Sequence, residues 1–449
     1  MVDPHPAAKG PSIARLGAVL GVLVAAAALA GCGTSVSAAD PVSTTPYVLF
    51  APLQSNVTYL MDLQGQLVHQ WQSDSNPTLS VYLLPNGLLL RPRSLGQGSF
   101  PAAGGNGGRV EEMDWDGRVV WSFDYFSPEH QQHHDVRGMP NGHVLMVAYE
   151  IRTAAEALAA GRDAGTIPSS GVIWVDHVIE VDPTSNAIVW AWHVWDHLLA
   201  PGENPAAHPE LIDPNAYASA ASSDWTHVNA VDYNPDLDQV MVSARNHNEF
   251  WVIDHGTTTE EAAAHTGGRR GRGGDLLYRW GNPPAYGLAG PQQLFGQHNA
   301  HWIEAGLPGA GDILVFNNGD AQARPYSTVV QLSSTFQPDG TYALDTQAGF
   351  LPTAPSWEYV ANPPSSLFAR IISGAQRLAS GDTLICDGTG GRFLEVTPAG
   401  DTAWTYTVTD TTGATGVQVF RVTRYEGSYT GLAGRTLTAQ GPLRVALSN

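Results

Sequence analysis

Between Asp224 and His255 the chain reads DWTHVNAVDYNPDLDQVMVSARNHNEFWVIDH. Its apolar residues follow a strand pattern, yet it also carries His227, Asn229 and Arg245. These types pack badly in an apolar core. A guanidinium fork beside an amide and neutral imidazoles suits a tetrahedral oxyanion. Asn229 stands two residues after His227, so both project from one side of a strand. Arg245 ends the strand after the NPDLD turn, and antiparallel pairing returns it to the start of the first strand.

The same pattern recurs along the chain. Five segments read as strand, turn and strand: 80–93, 134–148, 227–245, 298–318 and 373–388. Pro-Asn-Gly at 85–87 and 140–142 is hairpin chemistry, because Asn and Gly accept positive φ. Aligning the segments places His134, His227 and His298 at one position, with Ser373 there in the fifth. Repeats in register aim that position at one axis, so three imidazoles converge. Such a cluster supports a nucleophile with acid–base partners, a Zn, Cu or Fe site, or a polar channel without chemistry. Arg245 weighs against a metal there, because a fixed cation opposes another, and no metal is expected. His133 and His301 flank the position and read as supporting or structural, while His69, His143, His177, His208 and His265 read as structural. Trp225, Trp302, Phe295 and Tyr286 are candidates to stack on an aromatic ligand or to cap blade ends.

The elements that position these residues are short strands. Each inner pair is followed by an outer pair, as in 110–125, 177–194 and 393–408. Six four-stranded units result, which predicts an all-β fold, a six-bladed β-propeller. The segment 417–432 is expected to close the ring onto the blade begun at 47–71. A β-sandwich or two smaller all-β domains is the alternative, but no linker divides the chain. Helical pattern is confined to insertions at 153–165 and 257–268, read as loops over one face. The composition agrees: 48 Gly, 31 Pro, 13 Trp and 15 Tyr in 449 residues, with 14% charged. A net charge of -20 removes nucleic acid as a partner.

The N-terminus has its own signal. Lys9 and Arg15 precede LGAVLGVLVAAAALA, and Leu29-Ala30-Gly31-Cys32 follows. That ending resembles the lipobox of bacterial lipoproteins, implying cleavage before Cys32 and a diacylglycerol on its thiol; an ordinary signal with an incidental Cys is the alternative. The expected organisation is a leader at 1–31, a flexible tether at 32–45 and a catalytic propeller at 46–449, exported and lipid-anchored at the cell envelope. Cys386, in the strand TLICDG, is then left without a partner and reads as buried and inert.

With these motifs in place, the chain resembles the bacterial arylsulfate sulfotransferase family over about residues 47–432. The resemblance rests on HHDVRGMPNG, the 224–255 stretch, DLLYRWGNP, and QHNAHW with FNNGD. It implies a six-bladed propeller that moves a sulfuryl group from an aryl sulfate to a phenol, with no nucleotide donor and no cofactor. It implies His298 as the nucleophile, sulfated on an imidazole nitrogen, with His134, His227, Asn229 and Arg245 around the sulfuryl group. The chain lacks the N-terminal β-domain and the disulfide of the best-known members, so dimerisation does not follow. The expected cycle is two displacements, with His227 preferred to His134 as acid and base and Ser373 beside the substrate. An arylsulfatase on the same site, a metal-dependent esterase and a non-catalytic binding propeller are the alternatives.

Overall fold

The computed structural model describes residues 45–448 apart from 102 and 103, so the expected leader and Cys32 lie outside the described residues. Six four-stranded antiparallel sheets form the six blades of a propeller, as expected. Blade I begins with Tyr82–Leu83, blade II with His130–Gly138 and blade III with Val228–Asn234. Blades IV and V begin with His298–Trp302 and Gly374–Arg377. Blade VI combines the chain's last strand, Val419–Tyr425, with its first three, at Tyr47–Pro52, Val57–Asp62 and Leu67–Gln72. Tyr47 pairs with Tyr425 and Leu49 with Thr423 in the strand that closes the ring. Closure in this way leaves no long open sheet edge.

Local chemistry explains the elements. In blade II the strand Val144–Thr153 reads VLMVAYEIRT, and its first six residues are buried between sheets. The turn before it needs Gly142, whose φ is 87°, while Asn141 Oδ1 accepts the His143 N–H at 3.0 Å. Trp190, Trp192, Trp225 and Trp251 fill the space between blades II and III with Val and Ile. Losing one such ring costs about 3–5 kcal/mol. The two insertions carry short helices, α1 (Ala154–Ala159) and α2 (Thr259–Ala262). Each starts with a reciprocal cap, Thr153 with Glu156 and Thr258 with Glu261.

Polar side chains lace the inner strands. Asp135 accepts from Tyr82 Oη at 2.8 Å, the Val231 N–H at 3.2 Å and Arg421 Nη1 at 2.9 Å, so one carboxylate joins blades I, II, III and VI. Asn299 accepts the Ala375 N–H at 3.0 Å, joining IV to V. Asp135 and Asn299 stand next to His134 and His298, so this lacing holds the neighbouring histidines at fixed depth.

The starts of three inner strands are irregular. Pairing shifts between Gln132 and Val136, between Val228 and Val231, and between His298 and His301. His134, His227 and Asn299 hold left-handed φ values of 52°, 50° and 53°. Bulges and positive φ at non-glycine residues redirect side chains at a cost, and they cluster where residues act.

The register differs from the sequence reading at one residue. His134, His298 and Ser373 stand five residues before Met139, Ile303 and Leu378, the last paired residues before each turn. In blade III the last such residue is Asn234, and five before it stands Asn229, not His227. His227 lies two residues earlier. It precedes the strand, and the bulge between Val228 and Val231 with its own left-handed φ turns the imidazole toward His134.

Candidate active site

His298 lies at the floor of the site and is 2% exposed. Asn318 Nδ2 donates to the carbonyls of Ala369 at 2.7 Å and Ile372 at 2.8 Å, which fixes its amide. Its Oδ1 therefore faces His298 Nδ1 at 2.8 Å as an acceptor, so Nδ1 carries the proton. Nε2 is left as the lone pair, facing the Ile372 N–H at 3.2 Å. Burial first, then the charge of Arg245, holds His298 well below the usual imidazole range. The ring is thus neutral, as a nucleophile must be.

His227 is half-buried and belongs to a dyad. Its Nδ1 lies 2.5 Å from Asp224 Oδ2, and Tyr149 Oη lies 3.3 Å from the same nitrogen. Burial pushes the Asp224 carboxyl up, but His227, then His133 and Arg245, outweigh it, and the group stays below its ordinary range. An ionised Asp224 accepts the Nδ1 proton and leaves Nε2 free for exchange with a substrate. The centroids of His134 and His227 are 4.6 Å apart. Phe420, fully buried on the closing strand, stands 6.2 Å from both His134 and His298.

Behind His134 runs a buried chain. His134 Nδ1 lies 2.7 Å from His133 Nδ1, and His133 Nε2 lies 2.8 Å from Asp176 Oδ1. Thr226 donates to the other Asp176 oxygen, and the Tyr149 ring stacks on His133 at 3.5 Å. Burial pushes Asp176 up to about 8, and burial lowers both histidines well below their usual range. His133 therefore supports His134 directly. His301 bonds the Asn299 carbonyl at 2.8 Å, on its own strand.

Arg245 returns to the start of blade III as expected, with its N–H on the His227 carbonyl at 3.1 Å. Its Nη1 donates to Asn246 Oδ1 at 3.0 Å. Burial lowers its pKa, opposed by Asp224 and Tyr149, and a guanidinium keeps its charge. Exposed Arg370 adds a second positive charge nearby. Asn229 is fully buried; its Nδ2 donates to the Gln297 carbonyl at 2.8 Å, and its Oδ1 has no partner. The Ser373 hydroxyl accepts the Gly388 N–H at 3.0 Å and reaches the Ile371 carbonyl at 3.4 Å, so it is engaged within its own blade.

The structure thus brings His134 and His227 together, with His298 and Arg245 in the same electrostatic field. Gly104 crosses above them: a Cβ there would sit 3.4 Å from His227 Cε1 and 3.5 Å from His134 Cε1. The four aromatic candidates divide between core and site rim. Trp225, Trp302 and Tyr286 are at most 5% exposed and pack in the core, Tyr286 under Arg279 at 4.3 Å. Their ring faces serve the core, and Phe295 alone of the four is half-buried. Cavities of about 490 and 650 Å³ open at the opposite, turn-side mouth of the channel; His301 lines the first and His143 the second, and neither is lined by His134, His227 or His298.

Sequence reading missed Asp224, Asp176, Tyr149 and Asn318. Asp224 had a signal, a carboxylate three residues before His227 in the same stretch. Asn318 stands in FNNGD, but its role needs two carbonyls from residues 369 and 372.

No curated protein matches the sequence. Among solved structures, a protein of unknown function from Bacteroides caccae is similar at 14% identity and a TM-score of 0.45, over 85% of this chain and 99% of that one. A protein from Lactobacillus plantarum is similar at 11% identity and a TM-score of 0.42, over 85% of this chain and 100% of that one. The family described as Arylsulfotransferase (ASST) matches residues 42–425, which include every residue of the histidine site. The chain belongs to the arylsulfotransferase (ASST) family.

Proposed function

We propose that this chain moves a sulfuryl group from an aryl sulfate to a phenol by two displacements, with His298 carrying the group between them. The observation that carries this reading is the locked tautomer of His298: Asn318 holds Nδ1–H, and only Nε2 has a lone pair to offer. In the first step Nε2 attacks sulfur. The N–S bond forms, the bond from sulfur to the aryl oxygen breaks, and that oxygen leaves with the electron pair. The imidazole must turn from the Ile372 N–H as it attacks. In the second step the acceptor phenol oxygen attacks sulfur, and His298 leaves as a neutral ring.

His227 gives a proton to the departing oxygen and takes one from the acceptor, while Asp224 stabilises the intervening imidazolium. Arg245 meets the sulfuryl oxygens as a fork. His134 is ordered by the chain behind it. Asp176 Oδ1 closes the chain 2.8 Å from His133 Nε2, His133 Nδ1–H donates to His134 Nδ1, and His134 Nε2–H faces the substrate. Transfer of this kind asks chiefly for position and charge stabilisation. Aryl oxygens leave more easily than alkyl ones, so aryl esters are the natural donors. The leader and Cys32 support export with a lipid on that thiol; incorporation of labelled fatty acid, abolished by Cys32→Ala, tests this.

Steady-state rates with 4-nitrophenyl sulfate at several phenol concentrations test the cycle. Two displacements predict parallel double-reciprocal lines and equal yields of nitrophenol and new aryl sulfate. Intersecting lines would overturn the carried intermediate. Nitrophenol release indifferent to phenol would make water the acceptor and the enzyme a sulfatase.

A further inference from the structure

The 257–268 insertion takes no part in the histidine site. It leads from α2 to His265, whose Nδ1 lies 2.8 Å from Asp275 Oδ1. His197 ends the short turn Val194–His197 after the outer strand of blade II, and brings its own Nδ1 to the same oxygen, also at 2.8 Å. The side chain of His197 is fully buried and that of Asp275 is 9% exposed, whereas that of His265 is 57% exposed. One donor atom from each lies within 4.8 Å of the other two.

The hydrogen bonds around His197 create a conflict. Its Nε2 lies 2.8 Å from the Ala262 carbonyl oxygen. A carbonyl only accepts, so Nε2 carries a proton. In a neutral ring Nδ1 is then a lone pair, and it faces a carboxylate oxygen at hydrogen-bond distance. Two acceptors so placed repel unless a positive centre lies between them. Among the described residues, Asp275 makes ion-pair contacts with these two histidines and with no Lys or Arg. A second cluster, Glu150 with His177 and His193, differs here, because Arg152 already meets Glu150 at 2.9 Å.

We propose that His197 Nδ1, His265 Nδ1 and an Asp275 carboxylate oxygen bind one divalent transition-metal ion, Zn²⁺ by ligand class, and so fasten the 257–275 insertion to the rim of the propeller. Two imidazoles and one carboxylate are a Zn²⁺ set, and the exposed side at His265 leaves a fourth position for water. The surroundings have the form that metal-ligating histidines show, with the second ring N–H held by a backbone carbonyl. Trp192 stacks on His197 at 5.6 Å and 6°, and its Nε1 donates to the Gly274 carbonyl at 2.7 Å. Gly274 is required, since a Cβ there would collide with the Ala262 oxygen and stand 2.6 Å from His197 Nε2. Tetrahedral Zn²⁺ at about 2.0–2.1 Å from each donor needs donors about 3.3 Å apart. Both 2.8 Å contacts run to the one Asp275 oxygen, so a withdrawal of that carboxylate by roughly 0.5 Å opens both pairs to this spacing.

The test uses the full chain, free of any affinity tag and stripped with chelator, titrated with ZnCl₂ alone in a calorimeter and with CoCl₂ by visible absorption. The expected result is one tight Zn²⁺ and the strong visible bands of tetrahedral Co²⁺. His265→Ala should weaken this binding by at least about 100-fold, beyond the 10–100-fold typical of a lost supporting partner. His193→Ala, in the other cluster, should leave it intact. His265 is exposed, and circular dichroism confirms that its variant folds. Absent binding in the natural chain, or unchanged binding in His265→Ala, would overturn the proposal. So would a doubly protonated His197 in ¹⁵N spectra recorded with Zn²⁺ present. None of these readouts depends on sulfuryl transfer.

Discussion

The Asp224–His227 dyad makes a prediction that separates proton transfer from scaffolding. Asp224→Asn keeps the shape but replaces a carboxylate that accepts the His227 Nδ1 proton at 2.5 Å. Both side chains are only 13–15% exposed, so water does not substitute fully. Hydrogen bonds to charged groups in such settings are worth about 1.5–3 kcal/mol. That converts to roughly 10- to 150-fold in rate when the imidazolium forms in the transition state. The loss should depend on the donor. Nitrophenolate leaves almost unaided, whereas an unsubstituted phenol, ordinary pKa about 10 as in tyrosine, needs the proton. The assay is kcat/KM across aryl sulfates of graded leaving-group pKa, for the natural chain and for Asp224→Asn. The dependence on leaving group should steepen in the variant, with a small loss for 4-nitrophenyl sulfate and the full loss for phenyl sulfate. A uniform loss across the series would refute His227 as the proton donor and leave Asp224 a structural residue.

Further outcomes follow from the same geometry. Arg245→Lys keeps the charge but loses the fork, and kcat/KM for any aryl sulfate should fall about 100-fold. Asn318→Ala frees the Ala369 and Ile372 carbonyls as well as His298 Nδ1, and should cost about 1–3 kcal/mol in chemical denaturation as well as slowing nitrophenol release. Asp176 is raised to about 8 by burial, above its ordinary value of about 3.9 in the unfolded chain. Its contribution to stability is fully present below the lower value and lost as pH rises through the higher one. His133, His134 and His298, lowered by burial, act in the opposite sense in both chains, so the melting temperature of the natural chain minus that of Asp176→Asn should fall from pH 4 to 8. Burial raises the Cys386 thiol, so in a chain lacking Cys32 it should resist thiol reagents until the fold is unfolded.

The propeller was legible because its turns are. Pro-Asn-Gly at 85–87 and 140–142, and Asn-Pro-Asp at 234–236, announce where inner strands reverse, and alternation does the rest. What the turns do not announce is the length of a bulge. The alignment therefore puts His227 with His134 and His298 although Asn229 holds that distance from the turn, and the bulge together with the left-handed φ of His227 brings its imidazole to His134 all the same. Strand periodicity gives a face, not a partner. Hence Arg245 was placed correctly beside His227, while Asp176 and Asn318 were invisible, since their contacts span 43 and 20 residues. The aromatic residues left two roles open in the sequence. Trp225 and Trp302 stand near the site in sequence, but a large ring is most stable between blades, and there they lie. His265 read as structural because nothing near it in sequence shows that His197 meets the same oxygen.

The central claim is that His298 carries the sulfuryl group. The direct measurement is the intact mass of the chain, quenched within milliseconds of mixing with 4-nitrophenyl sulfate, followed by peptide mapping. One added sulfuryl group on the peptide holding His298, discharged by phenol and absent in His298→Ala, is the predicted result. Stoichiometric nitrophenol release from a chain of unchanged mass, or an adduct that persists in His298→Ala, would contradict it.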